Sequence, residues 1–534
     1  MTSGSHPFFT LDIGSASIGA ALVARLDGRW RLLASSAAPV AVGIEPVLRH
    51  LAEAAAAADG TLLAGAGDWR GWARVESRTR PGARVVVAGP SGGAVEPFER
   101  AFRMDGWQAT ACVTPERSVA LDAARALRDP DLDLVVVAAP GGLGGNDRDA
   151  LRDVAALVGA MAGLRESLPV LVSGPGVVAM PGLPGERVVR SHGLADAVAL
   201  AREAVPRGAD GREGFIRSIV SIAAILDLHV EGVDIGLDAG TRVQAEPDGL
   251  LRRLVLADAG LIPPAALEDD RLLDSIAHWS TLADEAYAVR DRLRNLRVAP
   301  WRDAAGDGAR VRLAAARAAL ERLEVAWDAD GRNPSRGLDR SGEYGGQPEG
   351  PGAPDVVVAS GGAFAGPPGP AVALALVDTM RRPGPVALAL DHARILGPLG
   401  TLGDEHDRRR LLADLLDDVL VPLGSAVVVP GLKAGRMGSL RVIADGALTT
   451  LPLAPDGVQV VDLPPGLSAT VELEAPDDLF VGIRARRVAF TLSGGLGGLL
   501  VDTRDIPLRL PDRPERRREY LDAWQLPLWT NADA

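Results

Sequence analysis

Phe8–Ala21, FFTLDIGSASIGAA, reads as a buried strand ending on a carboxylate and a glycine, then a short polar turn and a second apolar strand. Such a hairpin sets Asp12 beside a row of backbone N–H groups, with Ser15 and Ser17 adding hydroxyls. Amides suit phosphate oxygens, and a carboxylate suits a hydrated magnesium ion. An Asp-Xaa-Gly turn closing a plain hairpin has the same local signature, so one copy does not decide between them.

A second copy follows at Val233–Val243, VDIGLDAGTRV, where Asp234 and Gly236 repeat the spacing of Asp12 and Gly14. A third glycine loop ends the buried run DVVVASGG at Ser360-Gly361-Gly362, and Pro368–Met380 reads as a helix with proline near its start. Two Asp-Gly hairpins and then a strand, Gly-Gly and helix resemble the actin/hexokinase/Hsp70 superfamily. The resemblance implies an α/β, actin-like (ribonuclease H-like) duplicated ATPase fold. It also implies hairpins that straddle the nucleotide phosphates and a Gly-Gly loop that meets the adenosine.

Composition sets the limits. At 534 residues the chain exceeds one core and implies about two to four domains. Apolar content of 47% with 24% charged residues is globular, and aromatics at only 4% mean a core of Ala, Val and Leu. A net charge of −13 argues against nucleic acid as a partner. One cysteine, Cys112, excludes an intramolecular disulfide and fits a reducing cytoplasm. No basic region precedes an apolar run at the N-terminus, and no uncharged apolar stretch reaches ~18 residues, so neither signal peptide nor membrane span is expected.

Along the chain, residues 1–82 form a first half that includes expected strands at Trp30–Ala34, Ala38–Gly43 and Leu62–Ala66, and a helix at Glu45–Ala58. Residues 83–205 alternate strand and helix as an inserted or continuing α/β segment with a parallel sheet, and include a helix over Pro115–Leu127. Two glycine loops lie there: Gly89–Gly93 is a rival phosphate site, and Gly141–Asp147 sits at the carboxyl end of a strand, where open α/β sheets bind ligands, or is a plain tight turn needing positive φ. The first lacks both the P-loop Lys-Ser/Thr and the dinucleotide fingerprint. Residues 206–424 form a second half with two or three helices between 265 and 327 and a polar loop at 328–354. Strand Val386–Leu390 ends in Asp391, and residues 425–534 form a β-rich C-terminal unit with a terminal helix.

The glycine loop before Asn146, the Asp-Ile-Gly at 234, DVVVASGGAFA and the terminal SGGLGGLLVDTRDIPLRLPDRPERRREYLDAW resemble the MutL-type glutamate mutase accessory family. That family is a branch of the actin-like ATPases and is associated with a coenzyme B12-dependent mutase as its chaperone or reactivating factor. The phosphate loops depart from its pattern. Gly19 stands where the family carries a phosphate-binding lysine, and Ile18 replaces a hydroxyl residue. Asp238 is an added carboxylate close to where a γ-phosphate would lie.

Three readings stay open: an ATP-dependent accessory protein, a degenerate actin-like scaffold, and a small-molecule kinase. In the first, Asp12 and Asp234 hold hydrated Mg2+, while Gly14, Ser15, Ser17, Gly236, Gly240 and Thr241 contact the phosphates of ATP. Ser360, Gly361 and Gly362 line the nucleoside, and Asp238 orients water. The seven histidines show no metal spacing, and no Gly-Xaa-Ser-Xaa-Gly elbow or Asp-Xaa-His-Xaa-Xaa-Gly cobalamin signature is present.

Overall fold

FFTLDI forms the expected strand, β1 (Phe8–Ile13), in a computed structural model of the chain. The structure describes residues 6–58, 67–79, 83–165, 167–176, 187–205, 210–264, 269–282, 286–300, 306–329, 353–364, 367–433 and 435–530. The expected strand at Leu62–Ala66 and most of the polar loop at 328–354 lie outside them. Two units emerge: Met1–Thr79 with Ala209–Arg253 and Asp258–Ala534, and Arg80–Gly208 with Leu254–Ala257.

In the first unit, β1 pairs antiparallel with β2 (Ser17–Leu26), placing Asp12 opposite Gly19. On its other side β1 runs parallel to β4 (Ala73–Arg78), placing Asp12 opposite Ser77. With β3 (Arg29–Pro39) the order is β3-β2-β1-β4. Phe9, Leu11 and Leu22 pack under the helix Ile44–Ala58 through Leu48 and Leu51. The two strands expected over 30–43 are one: β3 runs on through a bulge that shifts its register opposite Leu22/Val23, and a 3-10 turn at Val40–Val42 ends it.

The second unit is a five-stranded parallel sheet of β5 (Arg84–Ala88), β6 (Gln108–Val113), β7 (Leu134–Ala138), β8 (Val170–Ser173) and β9 (Val188–Ser191). Their order is β6-β5-β7-β8-β9. LVVVA of β7 is buried throughout, as a parallel strand covered on both faces requires. Its helix after β6 starts at Ala120 rather than Pro115, because Val119 is extended and residues 114–118 close a turn.

The second half of the first unit repeats the hairpin. β10 (Val230–Ile235) pairs antiparallel with β11 (Gly240–Glu246), Asp234 opposite Thr241, and parallel with β13 (Val356–Ser360), Asp234 opposite Ser360. β12 (Gly249–Leu256), β14 (Gly384–Asp391) and β15 (Leu420–Val428) join the same sheet. β16 (Gly438–Ala444), β17 (Ala447–Leu453), β19 (Ser468–Phe480) and β20 (Arg484–Ser493) make a separate antiparallel sheet, β17-β16-β19-β20. β18 (Val458–Val461) and β21 (Leu499–Asp502) return to the eight-stranded sheet, ordered β12-β11-β10-β13-β14-β15-β21-β18. A division at 425 therefore falls inside β15, and the β-rich segment shares its core with β15 and β21 through Val427 and Leu499. Register-matched hairpins that each lead to a parallel strand give a mixed α/β fold with this unit duplicated.

Three helices occupy the 265–327 region: Asp270–His278, Ala286–Val298 and Gly306–Ala329. The last is buried on nearly every face, so its arginines need internal partners. Arg317 Nε donates to Asp378 at 2.6 Å, and Arg504 Nη2 donates to the other Asp378 oxygen at 2.7 Å and to Asp502 at 2.8 Å. Arg381 also pairs with Asp502, and Arg504 stacks 4.3 Å from the Trp524 ring. A second network joins Glu231, Arg242, Glu324 and Gln244.

Glycine permits a different closure nearby. The short helix Leu396–Gly400 lies against the helix Gly211–Leu226 so closely that a Cβ on Gly400 would sit 1.7 Å from the Gly214 carbonyl oxygen. Ser218 Oγ donates to the Leu396 carbonyl at 2.6 Å across the same seam.

Asp378 bridges two fully buried arginines, so Asp378→Ala should cost ~3–5 kcal/mol of stability. Chemical denaturation checks this. A loss under ~1 kcal/mol would mean the network carries no structural weight.

Candidate functional site

Both hairpin turns close alike: the Gly14 amide donates to the Ser17 carbonyl at 2.9 Å and the Gly236 amide to the Ala239 carbonyl at 3.0 Å. Between them lies a cavity of about 300 Å³. Asp12, Gly14, Ser15 and Ser17 line it from the first hairpin, Asp234 and Gly236 from the second, and Ser360, Gly361 and Gly362 from the loop after β13. Gly361, at φ +100°, is the residue the site demands: a Cβ there would lie 2.4 Å from Asp234 Oδ1.

Three other candidates lie off the lining. Asp238 is ion-paired with Arg297, which also donates to the Ile262 carbonyl at 2.8 Å. Gly240 packs against the Ala259 carbonyl, where a Cβ would come to 2.6 Å. Thr241 is fully buried, with no hydrogen bond to its hydroxyl among the described residues.

Residues outside the candidate set complete the site. Arg212, Arg312 and Arg394 line the cavity, whose only acids among the described residues are Asp12 and Asp234. Arg394 Nη1 donates to Ser17 Oγ at 2.8 Å and lies 3.9 Å from Asp12 Oδ2. Arg312 Nη1 donates to the Gly362 carbonyl at 3.1 Å. Asp391 sits just behind, accepting from Ser360 Oγ at 2.9 Å and from the amides of Ile395 and Leu396 at 3.0 and 3.2 Å. The strand ending in Asp391 was a legible signal for it. Arg312, inside an Arg/Ala/Leu helical run, gave none.

The electrostatics follow from burying acids together. Burial pushes the Asp234 carboxyl up to about 7, helped by the like charges of Asp12 and Asp391 and opposed by Arg212 and Arg394. Burial also raises Asp391, to about 6, against the hydrogen bonds it accepts. Asp12 is raised by burial, with Arg394 and the Ser77 hydroxyl (3.2 Å) pulling the other way. Both lining acids thus hold their protons more tightly than a solvated carboxyl, with Arg212, Arg312 and Arg394 beside them.

The rival glycine loops are accounted for locally. The Gly92 amide, at the start of the helix after β5, donates to the Glu116 carboxylate at 3.3 Å, which occupies an anion's place. Gly141 makes room for Pro175, 2.8 Å from where its Cβ would lie, and Gly142 turns at φ +71°. Cys112 is half-buried beside Glu99, and burial with that carboxylate pushes its thiol up to about 12, so it stays a thiol. No group of three His, Cys, Asp or Glu side chains with metal-holding geometry occurs among the described residues, and no described helix is long and apolar enough to cross a membrane.

No protein-family profile matches the chain, and no curated protein does. Among solved structures it is similar to (R)-2-hydroxyglutaryl-CoA dehydratase component A of Acidaminococcus fermentans, at 9% identity over 76% of this chain and 99% of that one, with a TM-score of 0.24. The activator of the 2-hydroxyisocaproyl-CoA dehydratase from Clostridium difficile with bound ADPNP is similar at 11% identity over 76% and 96%, TM-score 0.24. A PilM-PilN type IV pilus biogenesis complex matches at 15% over 67% and 81%, TM-score 0.20.

A raised carboxyl binds its proton more tightly in the folded chain than in the unfolded one, where Asp titrates near 3.8. Its contribution is full below that value and is lost as pH climbs through about 7. Asp234→Asn should therefore gain on the wild type between about pH 4 and 7 and stay ahead at pH 8, read as the difference in thermal midpoints. Salt-bridged Glu231, held at about 2, titrates below this window, while Asp391, raised to about 6, titrates within it in both proteins. A difference flat from pH 4 to 8 would deny Asp234 its strained environment.

Proposed function

We propose that the chain is a nucleotide-binding accessory protein that takes a nucleoside triphosphate with hydrated magnesium between its two hairpins. The observation that carries the reading is the register-matched pair, Asp12 and Asp234, facing one cavity that also holds three arginines. The donor set suits magnesium, which prefers oxygen ligands and keeps its waters, so two carboxylates and phosphate oxygens suffice without an all-protein cage. Arg212, Arg312 and Arg394 supply charge for phosphate, and the Ser360–Gly362 loop supplies a floor for the nucleoside. The metal would contribute charge neutralisation of the phosphates.

Slow turnover is part of the proposal. With Asp238 engaged by Arg297, the two lining acids are both committed to the cation, and among the described residues no other carboxylate lines the cavity to orient water or to deprotonate a kinase substrate. This favours a switch over a kinase and leaves a scaffold that binds without hydrolysis as the second reading. The client is a protein, and the family resemblance of the SGG and VDTRDIPLRLP blocks makes a coenzyme B12-dependent mutase the first one to test.

Calorimetric titration with Mg·ATP should show binding in the micromolar range that weakens more than ~10-fold in Asp12→Ala, the scale of a lost charge-assisted contact. Hydrolysis should be far slower than the ~1–100 per second of kinases. No heat at millimolar nucleotide would end the nucleotide reading.

A further inference from the structure

We infer that Arg394 is the phosphate-recognising cation of this site, delivered from the far side of the cavity into space that Gly19 leaves open beside Asp12. The inference rests on the nucleotide reading above and names which residue sets its selectivity for a polyphosphate.

Four observations point the same way. A Cβ built on Gly19 would lie 2.6 Å from both Nε and Nη2 of Arg394, so the absent side chain is what admits the guanidinium. The Arg394 side chain is nine-tenths buried, yet its Nη2 has no hydrogen-bond partner among the described residues. A buried, unsatisfied donor of a charged group is costly unless something arrives to accept from it. Only one face is served: Ser17 Oγ takes Nη1, and Asp12 at 3.9 Å lies beyond hydrogen-bonding distance. Finally, Arg394 adopts φ +53°, a backbone conformation that non-glycine residues seldom take and that clusters at functional sites. Asp391 maintains that turn by accepting from the Ile395 and Leu396 amides.

A guanidinium offers planar donors matched to two oxygens of a phosphate, whereas a lysine on β2 would offer a point charge from the hairpin itself. The site therefore obtains its cation from the segment after β14, and a side chain at position 19 would compete with the Arg394 guanidinium for the same space.

The experiment is Mg·ATP affinity, by calorimetry, of the full chain and three variants, with thermal unfolding as the check on folding. Arg394→Ala should weaken ATP on the order of 10- to 100-fold. Gly19→Lys alone should also weaken it, because the new side chain enters the guanidinium's space. Gly19→Lys with Arg394→Ala should recover most of the loss. If Arg394→Ala does not fold, Arg394→Gln, which can still hydrogen-bond Ser17, replaces it in both single and double variants. Unchanged ATP affinity in the folded single variant overturns the inference. So does a loss that the lysine fails to rescue, which would assign Arg394 a purely structural role. Both outcomes leave nucleotide binding by the wild type intact. Absence of binding by the wild type would instead remove the nucleotide reading and this inference together.

Discussion

Two carboxylates facing one partly buried cavity cannot both carry charge without cations beside them, and the first unit is built around that constraint. The duplicated hairpins bring Asp12 and Asp234 to matching register positions, and two helices and one loop bring arginines to them from three separate segments. The result is a site whose acids hold their protons unusually tightly while no further cation is present. Binding a cation and releasing those protons become one event in such a pocket.

Elsewhere the same physics is resolved internally. Arg317, Asp378, Arg504, Asp502 and Arg381 alternate in sign and pair with one another with almost no exposure. Asp502 and Arg504 belong to the VDTRDIPLRLP block, so the block carrying the strongest family resemblance is core architecture rather than ligand site. Resemblance there speaks for how β21 is locked to the buried helices. It says little about what the cavity holds.

The hairpins were legible because their chemistry is local: an apolar run, a carboxylate, a glycine and a polar turn lie consecutively in the chain. The buried strands of the parallel sheet were legible for the same reason, as in LVVVA. What could not be read was convergence. Arg394 approaches Gly19 from a segment 375 residues downstream. Arg312 sits in a helix whose run of alanine and arginine resembles a solvated face but is buried. Asp238 looked like a phosphate neighbour by position, and an arginine 59 residues away took it elsewhere. Short-range pattern names the elements, and long-range charge pairing decides which side chains face the cavity.

The glycine seam has an evolutionary corollary. At Gly214 and Gly400 the backbone of one helix occupies the place where the other's first side-chain atom would be. Any single-base missense change in a glycine codon adds at least a Cβ, so neither position has a sterically neutral neighbour in codon space. Drift can reshape the surfaces around this seam, yet the seam itself can change only by paired substitutions or by moving the helices apart. Lineages that keep this spacing should therefore keep both glycines long after the loops around the cavity have diverged.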